Sequence, residues 1–279
     1  MGDFFSALLN PTIPFIRYAF FAGLLSSIPF GIIGTWVTIK RISYLAGAIA
    51  HSVLAGIGMS LYFSAKFNLL WLHPLLGALA AAVIAAMIIG YVSIHAKERE
   101  DTVIGAIWAT GMSLGLLFIA KTPGYISPMT YLFGNILIIS QTDLMMLIVL
   151  DSVVIILGFL FYHQFQAISF DEEFARIRGI RTNLFYFLLL IMTAITVVLM
   201  TTIIGIVMVI ALLTIPAAIA GFFAKKIWLI MLISVGLTAI FTSSGLMISY
   251  ITDLPAGSTI ILISGVVYLT SVLIKRIIL

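Results

Sequence analysis

Two ionisable side chains sit deep inside apolar runs of this chain. His51 lies in "SYLAGAIAHSVLAG" (43–56) and Asp151 in "LIVLDSVVI". The other nine of the ten acids fall in loops or at the ends of runs, and His73, His95 and His163 sit at run edges. Ionisable groups at membrane depth are costly and typically face a cavity or a partner. Imidazole is a common ligand for borderline transition metals. A carboxylate added to an imidazole makes a plausible divalent-ion site. The residues themselves leave a second use open: His51 hydrogen-bonded to a neighbouring helix, and Asp151 as a buried structural partner.

The surroundings of His51 bear on that choice. Ala46, Gly47, Ala50, Ser52 and Ala55 make its helix thin, and Gly47, His51 and Ala55 share one face at single-turn spacing. Small residues so placed let helices approach closely, and they also leave space for an ion and its waters beside the ring. His51 is seven residues from the inner end of its run, about 10 Å, whereas Asp151 is roughly 18 Å from the inner side. Upright helices do not bring the two level, so a shared site requires tilt or shifted boundaries.

The elements that position these groups follow from composition. Of 279 residues, 63% are hydrophobic and 9% charged, against about 25% charged in a soluble domain. Apolar runs long enough to cross a hydrocarbon core of roughly 30 Å recur from end to end. They fall at 18–38, 44–63, 74–94, 102–120, 143–162, 184–200, 203–222, 228–249 and 257–274. Continuous runs such as "LLGALAAAVIAAMIIGYV" lack the alternation of a membrane barrel. The expectation is an all-α polytopic membrane bundle of eight or nine transmembrane helices, forming one transmembrane domain over 1–279 with the lipid bilayer as its solvent. The stretch 184–222 decides the count, because it reads either as two crossings or as one crossing plus a broken piece. The segment 129–140 is too short to cross and reads as a short helix at a pathway mouth. The N-terminal "MGDFFSALLNP" lacks the positive region of a cleaved signal peptide, and with no cysteine there is no disulfide.

Charge sets the orientation. Eleven of the 14 Lys and Arg fall in loops on one side, with only Arg17, Lys66 and Lys121 on the other. The richer side is cytoplasmic, which puts the C-terminus inside, and the N-terminus outside if all nine spans cross. The net charge of +4 is therefore a loop effect and implies no nucleic-acid partner. No G-x-x-x-x-G-K-[ST] run is present, so if ATP drives this protein another chain hydrolyses it.

The longest cytoplasmic segment, 163–183, contains "FDEEFARIRGIR". Asp171, Glu172 and Glu173 come first, Arg176 and Arg178 follow, and Gly179 closes the stretch. That order suits a helix dipole and a C-terminal glycine cap. Phe170, Phe174 and Ile177 share one face at i, i+4, i+7. The segment predicts a short amphipathic helix that either rests on lipid or docks into a separate soluble partner. Pro216, in "LLTIPAAIA", predicts a kink, because it cannot donate to the carbonyl of Leu212.

Six stretches in order resemble the membrane permease subunits of bacterial ABC importers for zinc, manganese or iron(II). They are "KRISYLAGAIAHSVLAG", "DTVIG", "LFGNIL", "DEEFARIRG", "GIVMVIALLTIPAAIA" and "PAGSTIIL", and they cover nearly the whole chain. The resemblance implies a non-catalytic subunit of the bacterial cytoplasmic membrane. It would pair with a second copy, two ATPase subunits and an extracytoplasmic metal-binding protein. No cofactor would be held permanently, and the divalent metal would be cargo. Segment 171–179, with Asp171, Glu172, Glu173, Phe174, Ala175 and Gly179, resembles the helix that couples to the ATPase. His51 matches the family's pore-side histidine. Two positions depart from the pattern: Gly47 stands where the family has Asp, and Asn135 replaces the acid of the L-F-G-D stretch. Asp151, a second copy's His51, or a different cargo such as a chelated metal would account for the missing carboxylate. Gly47, Asn135 and Pro216 are the expected pathway positions. The competing class is a secondary transporter using His51 and Asp151 as an ion or proton relay. That class is favoured by inverted repeats with matched broken helices, and no clear repeat is present.

Overall fold

The structure, a computed structural model, describes residues 8, 14–69, 71–95, 100–124, 129–134 and 139–278. Its helices are α1 (Pro14–Ile39), α2 (Ser43–Phe67), α3 (Pro74–His95), α4 (Glu100–Lys121), α5 (Met129–Phe133), α6 (Gln141–Leu160), α7 (Tyr162–Phe170), α8 (Glu172–Ile177), α9 (Thr182–Ile204), α10 (Ile206–Phe223), α11 (Ile227–Thr252) and α12 (Ala256–Ile278). There is no strand among the described residues. Nine of these helices are long and apolar enough to cross a membrane. The chain is a polytopic all-α bundle, as its apolar runs require, since helices satisfy their own backbone in lipid.

Local chemistry sets the helix ends. Pro74 opens α3, where a missing N–H costs nothing. Ser140 and Asp143 cap α6 reciprocally: the Asp143 N–H donates to Ser140 Oγ at 3.2 Å, and the Ser140 N–H donates to Asp143 Oδ2 at 2.8 Å. The ambiguous stretch 184–222 is two helices divided at one residue. Gly205 sits at φ 85°, a conformation that favours glycine, and each flanking helix is long enough to cross.

The residues cluster into two compact units. One comprises 39–132 and 161–202, the other 1–38, 133–160 and 203–279. In the first, α2 is sheathed by α3 and α4. Every residue from Leu45 to Gly58 on α2 is buried. Glycines make this possible on both sides. A Cβ on Gly56 would run into the Gly77 carbonyl of α3, and one on Gly111 of α4 would lie 2.9 Å from Ser52 Cα. Lipid gives apolar helices no hydrophobic reason to associate, so close van der Waals contact between small residues holds them together.

In the second unit α10, α11 and α12 pack on one another. Helix α1 joins them, with Thr242 Oγ1 of α11 donating to the Gly23 carbonyl at 3.3 Å. Gly34 lets α1 lie directly on the Leu213 carbonyl of α10, one turn before Pro216. Helix α10 continues through Pro216, which is buried.

Candidate functional site

His51 lies on α2, the most completely buried stretch of the first unit's membrane helices. It is 8% exposed, and its Nδ1 has no hydrogen-bond partner among the described residues. One face of the ring is covered by Trp108 of α4, with ring centroids 4.4 Å apart and planes 20° from parallel. The same indole closes over Gly47, where a Cβ would lie 3.0 Å from its Cζ3. Tyr44 continues the aromatic column, 5.7 Å from Trp108 between centroids. Trp108 occupies α4 one turn before Gly111 and two before Gly115, whose close contacts seat α4 on α2. The space that Gly47 opens beside the helix is thus filled by indole, and a side chain there would have to displace it.

An imidazole binds a metal through a nitrogen lone pair in the plane of its ring. Stacking occupies a face and leaves the edges, so Trp108 fixes the ring without consuming its ligating capacity. Such stacks contribute about 0.5–1.5 kcal/mol. Ser52, the nearest hydroxyl on α2, is occupied, donating to the Ala48 carbonyl at 2.8 Å.

Asp151 belongs to the second unit, on the buried stripe of α6 formed by Leu147, Leu150, Asp151, Val154 and Gly158. It is 4% exposed, and neither carboxyl oxygen has a hydrogen-bond partner among the described residues. A buried polar group without a partner is expensive. Among the described residues no group of three or more His, Cys, Asp or Glu could hold a metal ion, so neither residue belongs to a preformed cage. Asn135 lies outside the described residues.

The charged segment forms a short helix with the expected glycine cap at its end, and Asp171 adds a cap at its start. The Phe174 N–H donates to Asp171 Oδ1 at 2.9 Å at the start of α8. At its end Gly179 takes φ 81°, with the Gly179 N–H bonded to the Arg176 carbonyl and the Ile180 N–H to that of Ala175. This is a Schellman closure. Ala175 is buried, whereas Phe174 is exposed and Ile177 is 84% exposed. Glu172 pairs with Lys40 at 2.8 Å, and Glu173 is exposed. One expectation is corrected. Phe170 does not share a helix with Phe174 and Ile177, because Asp171 is extended (φ −152°, ψ 102°) and separates α7 from α8.

Sequence reading missed Trp108 and α7. For α7 a signal existed: Phe161, Phe165 and Ile168 follow helical spacing, and the last two are fully buried. For Trp108 none did, since its partners come from another helix.

A family model described as the ABC 3 transport family matches residues 12–275. The chain belongs to that family. This ABC 3 chain is 36% identical to a probable metal transport system membrane protein of Chlamydia pneumoniae, over 97% of this chain and 93% of that one. It is 30% identical to the manganese transport system membrane protein MntC of Listeria monocytogenes, covering 91% and 88% respectively. Among solved structures it resembles PsaBC from Streptococcus pneumoniae in complex with Fab. The TM-score is 0.85 at 27% identity, over 97% of this chain and 94% of that one.

Proposed function

We propose that this ABC 3 chain is the membrane permease subunit of an ATP-driven importer that brings a divalent transition-metal ion, zinc, manganese or iron(II), into a bacterial cytoplasm. The observation that carries this reading is His51, a buried imidazole with an unpartnered nitrogen on a membrane helix of a transport-family chain. The ion touches His51 in passing and is otherwise hydrated. Conduction favours such weak binding, because an ion held in a complete cage would not leave. Asp151, with two unpartnered oxygens, is a second contact for the cation.

The chain carries no nucleotide-binding loop, so a separate ATPase supplies the work. It docks at α8, where Phe174 and Ile177 stand exposed among charges. Two ATPase copies, a second copy of this chain and an extracytoplasmic metal-binding protein complete the assembly. The protein lies in the cytoplasmic membrane, with residues 39–43, 95–101, 163–183 and 224–227 and the C-terminus inside, as the charge asymmetry of its loops supports.

The test is uptake of radiolabelled zinc, manganese and iron into vesicles holding the chain with its ATPase. Uptake that needs ATP and falls with His51→Ala supports the proposal. Uptake by the chain alone, driven by an ion gradient, would establish the secondary transporter instead. Phe174→Asp should release the ATPase on co-purification, and an intact complex would remove α8 as the docking element.

A further inference from the structure

The turn between α1 and α2 holds a half-buried cation. Lys40 has 15% of its side chain exposed, and its Nζ donates to two acceptors from distant parts of the sequence. One is the Ile168 carbonyl at the end of α7, at 2.7 Å, and the other is Glu172 Oε1 on α8, at 2.8 Å. It also lies 5.6 Å over the ring of Tyr186 on α9, whose hydroxyl donates to Ser93 on α3 at 3.1 Å.

Three residues after Lys40, α2 begins. No side chain caps it, since Ile42 holds the cap position without a side-chain hydrogen bond. The intervening Arg41 is locked in a left-handed turn at φ 61°, so the connection from Lys40 to α2 is short and bent rather than slack. His51 stands eight residues further along the same helix, about 12 Å. On the other side of the pair, Glu172 is the first residue of α8.

We infer that Lys40 is a positioning residue that ties α8 to the inner end of α2, so that a displacement of α8 is delivered to the helix carrying His51. This rests on the reading of α8 as the ATPase-docking element. A lysine suits the task, with three donors on a flexible stem and a charge that strengthens each bond. A polar cleft of about 330 Å³ borders the pair, lined among others by Arg41, Ser93, Glu172, Arg176 and Tyr186. The glutamate side of the pair is open to solvent, with 46% of its side chain exposed, and solvent screening keeps the contribution of such a pair to stability small. The role is therefore in linking two moving parts, and its loss should appear in coupling before it appears in folding.

The experiment uses the chain assembled with its ATPase in vesicles, with radiolabelled zinc and manganese as probes. Lys40→Glu places a carboxylate opposite Glu172, and the like charges drive α8 and α2 apart. Uptake should fall about tenfold while the ATPase still co-purifies and still hydrolyses ATP, and Glu172→Lys in that background should restore it to within about threefold, the mutual dependence expected of residues in contact. Lys40→Arg should keep most of the uptake. The inference is overturned if Lys40→Glu transports like the parent, if the reversed pair fails to rescue, or if Lys40→Glu releases the ATPase. Failure of the docking reading is separate: it appears as ATPase retention by Phe174→Asp, whatever the reversed pair does.

Discussion

His51 and Asp151 answer the same difficulty in opposite ways. Both are ionisable, buried and deep in apolar helices, one in each unit. The histidine is held: an indole covers its face, a glycine makes way for the indole, and one nitrogen stays unpartnered. The carboxyl group is left alone, with both oxygens unpartnered among the described residues. The held ring keeps its edges open while its face is covered. The carboxyl group has no comparable support among the described residues. The difference teaches that burial by itself does not identify a site, and that two buried groups can differ in the local support of the side chain.

The largest effect that tests this contrast comes from His51→Ala. Uptake should fall more than about 100-fold, beyond the 10–100-fold that losing a group which only supports a ligand costs, with assembly retained because alanine fits the thin helix. Normal uptake would reduce His51 to packing and erase the contrast.

Asp151 should respond in two directions at once. Asp151→Asn should lower uptake about tenfold, whereas Asp151→Leu should stabilise the isolated chain by about 1–3 kcal/mol, because an unpaired buried polar group is exchanged for an apolar one. A leucine variant that melts earlier would mean that the chain itself supplies a partner for the carboxylate.

Gly47→Asp sharpens the histidine side. Its Cβ meets Trp108 at 3.0 Å, so it should cost about 1–3 kcal/mol of stability through overpacking. Trp108→Ala in the same chain should recover much of that cost. Strictly additive unfolding energies would show that the two positions do not touch. The smallest effect belongs to Trp108→Phe. It keeps an aromatic face over the imidazole and should change uptake less than about threefold, as a stack of 0.5–1.5 kcal/mol is weakened rather than lost.

The membrane helices were legible because an apolar run reports its solvent directly. Each of the nine expected runs corresponds to a membrane-length helix, with boundaries shifted by a few residues, and the α8 C-terminal cap could be read from Gly179 because capping is local chemistry. The division at Gly205 was ambiguous, since apolarity continues unbroken across it and only one backbone angle separates two helices. The aromatic stack and the Lys40–Glu172 pair were not legible. The first joins residues 57 positions apart and the second residues 132 apart, and both depend on which helix faces which. Side chains in lipid are apolar whether they meet a neighbour or an acyl chain, so the sequence carries little record of that choice.

The sheathing of α2 has a consequence for how the protein is made. Its best window has a mean hydropathy of 1.5, the lowest of the nine spans, and 83% of that window is buried. Helix α3, one of its two covers, reaches 2.4 with 33% buried. A segment carrying an imidazole and several serines and glycines has weak affinity for hydrocarbon when it leaves the ribosome. Its natural solvent is the pair of helices synthesised after it, which end at Lys121. Biosynthesis should therefore hold α2 at the insertion machinery until α3 and α4 arrive, and nascent chains truncated before α4 should fail to integrate it stably.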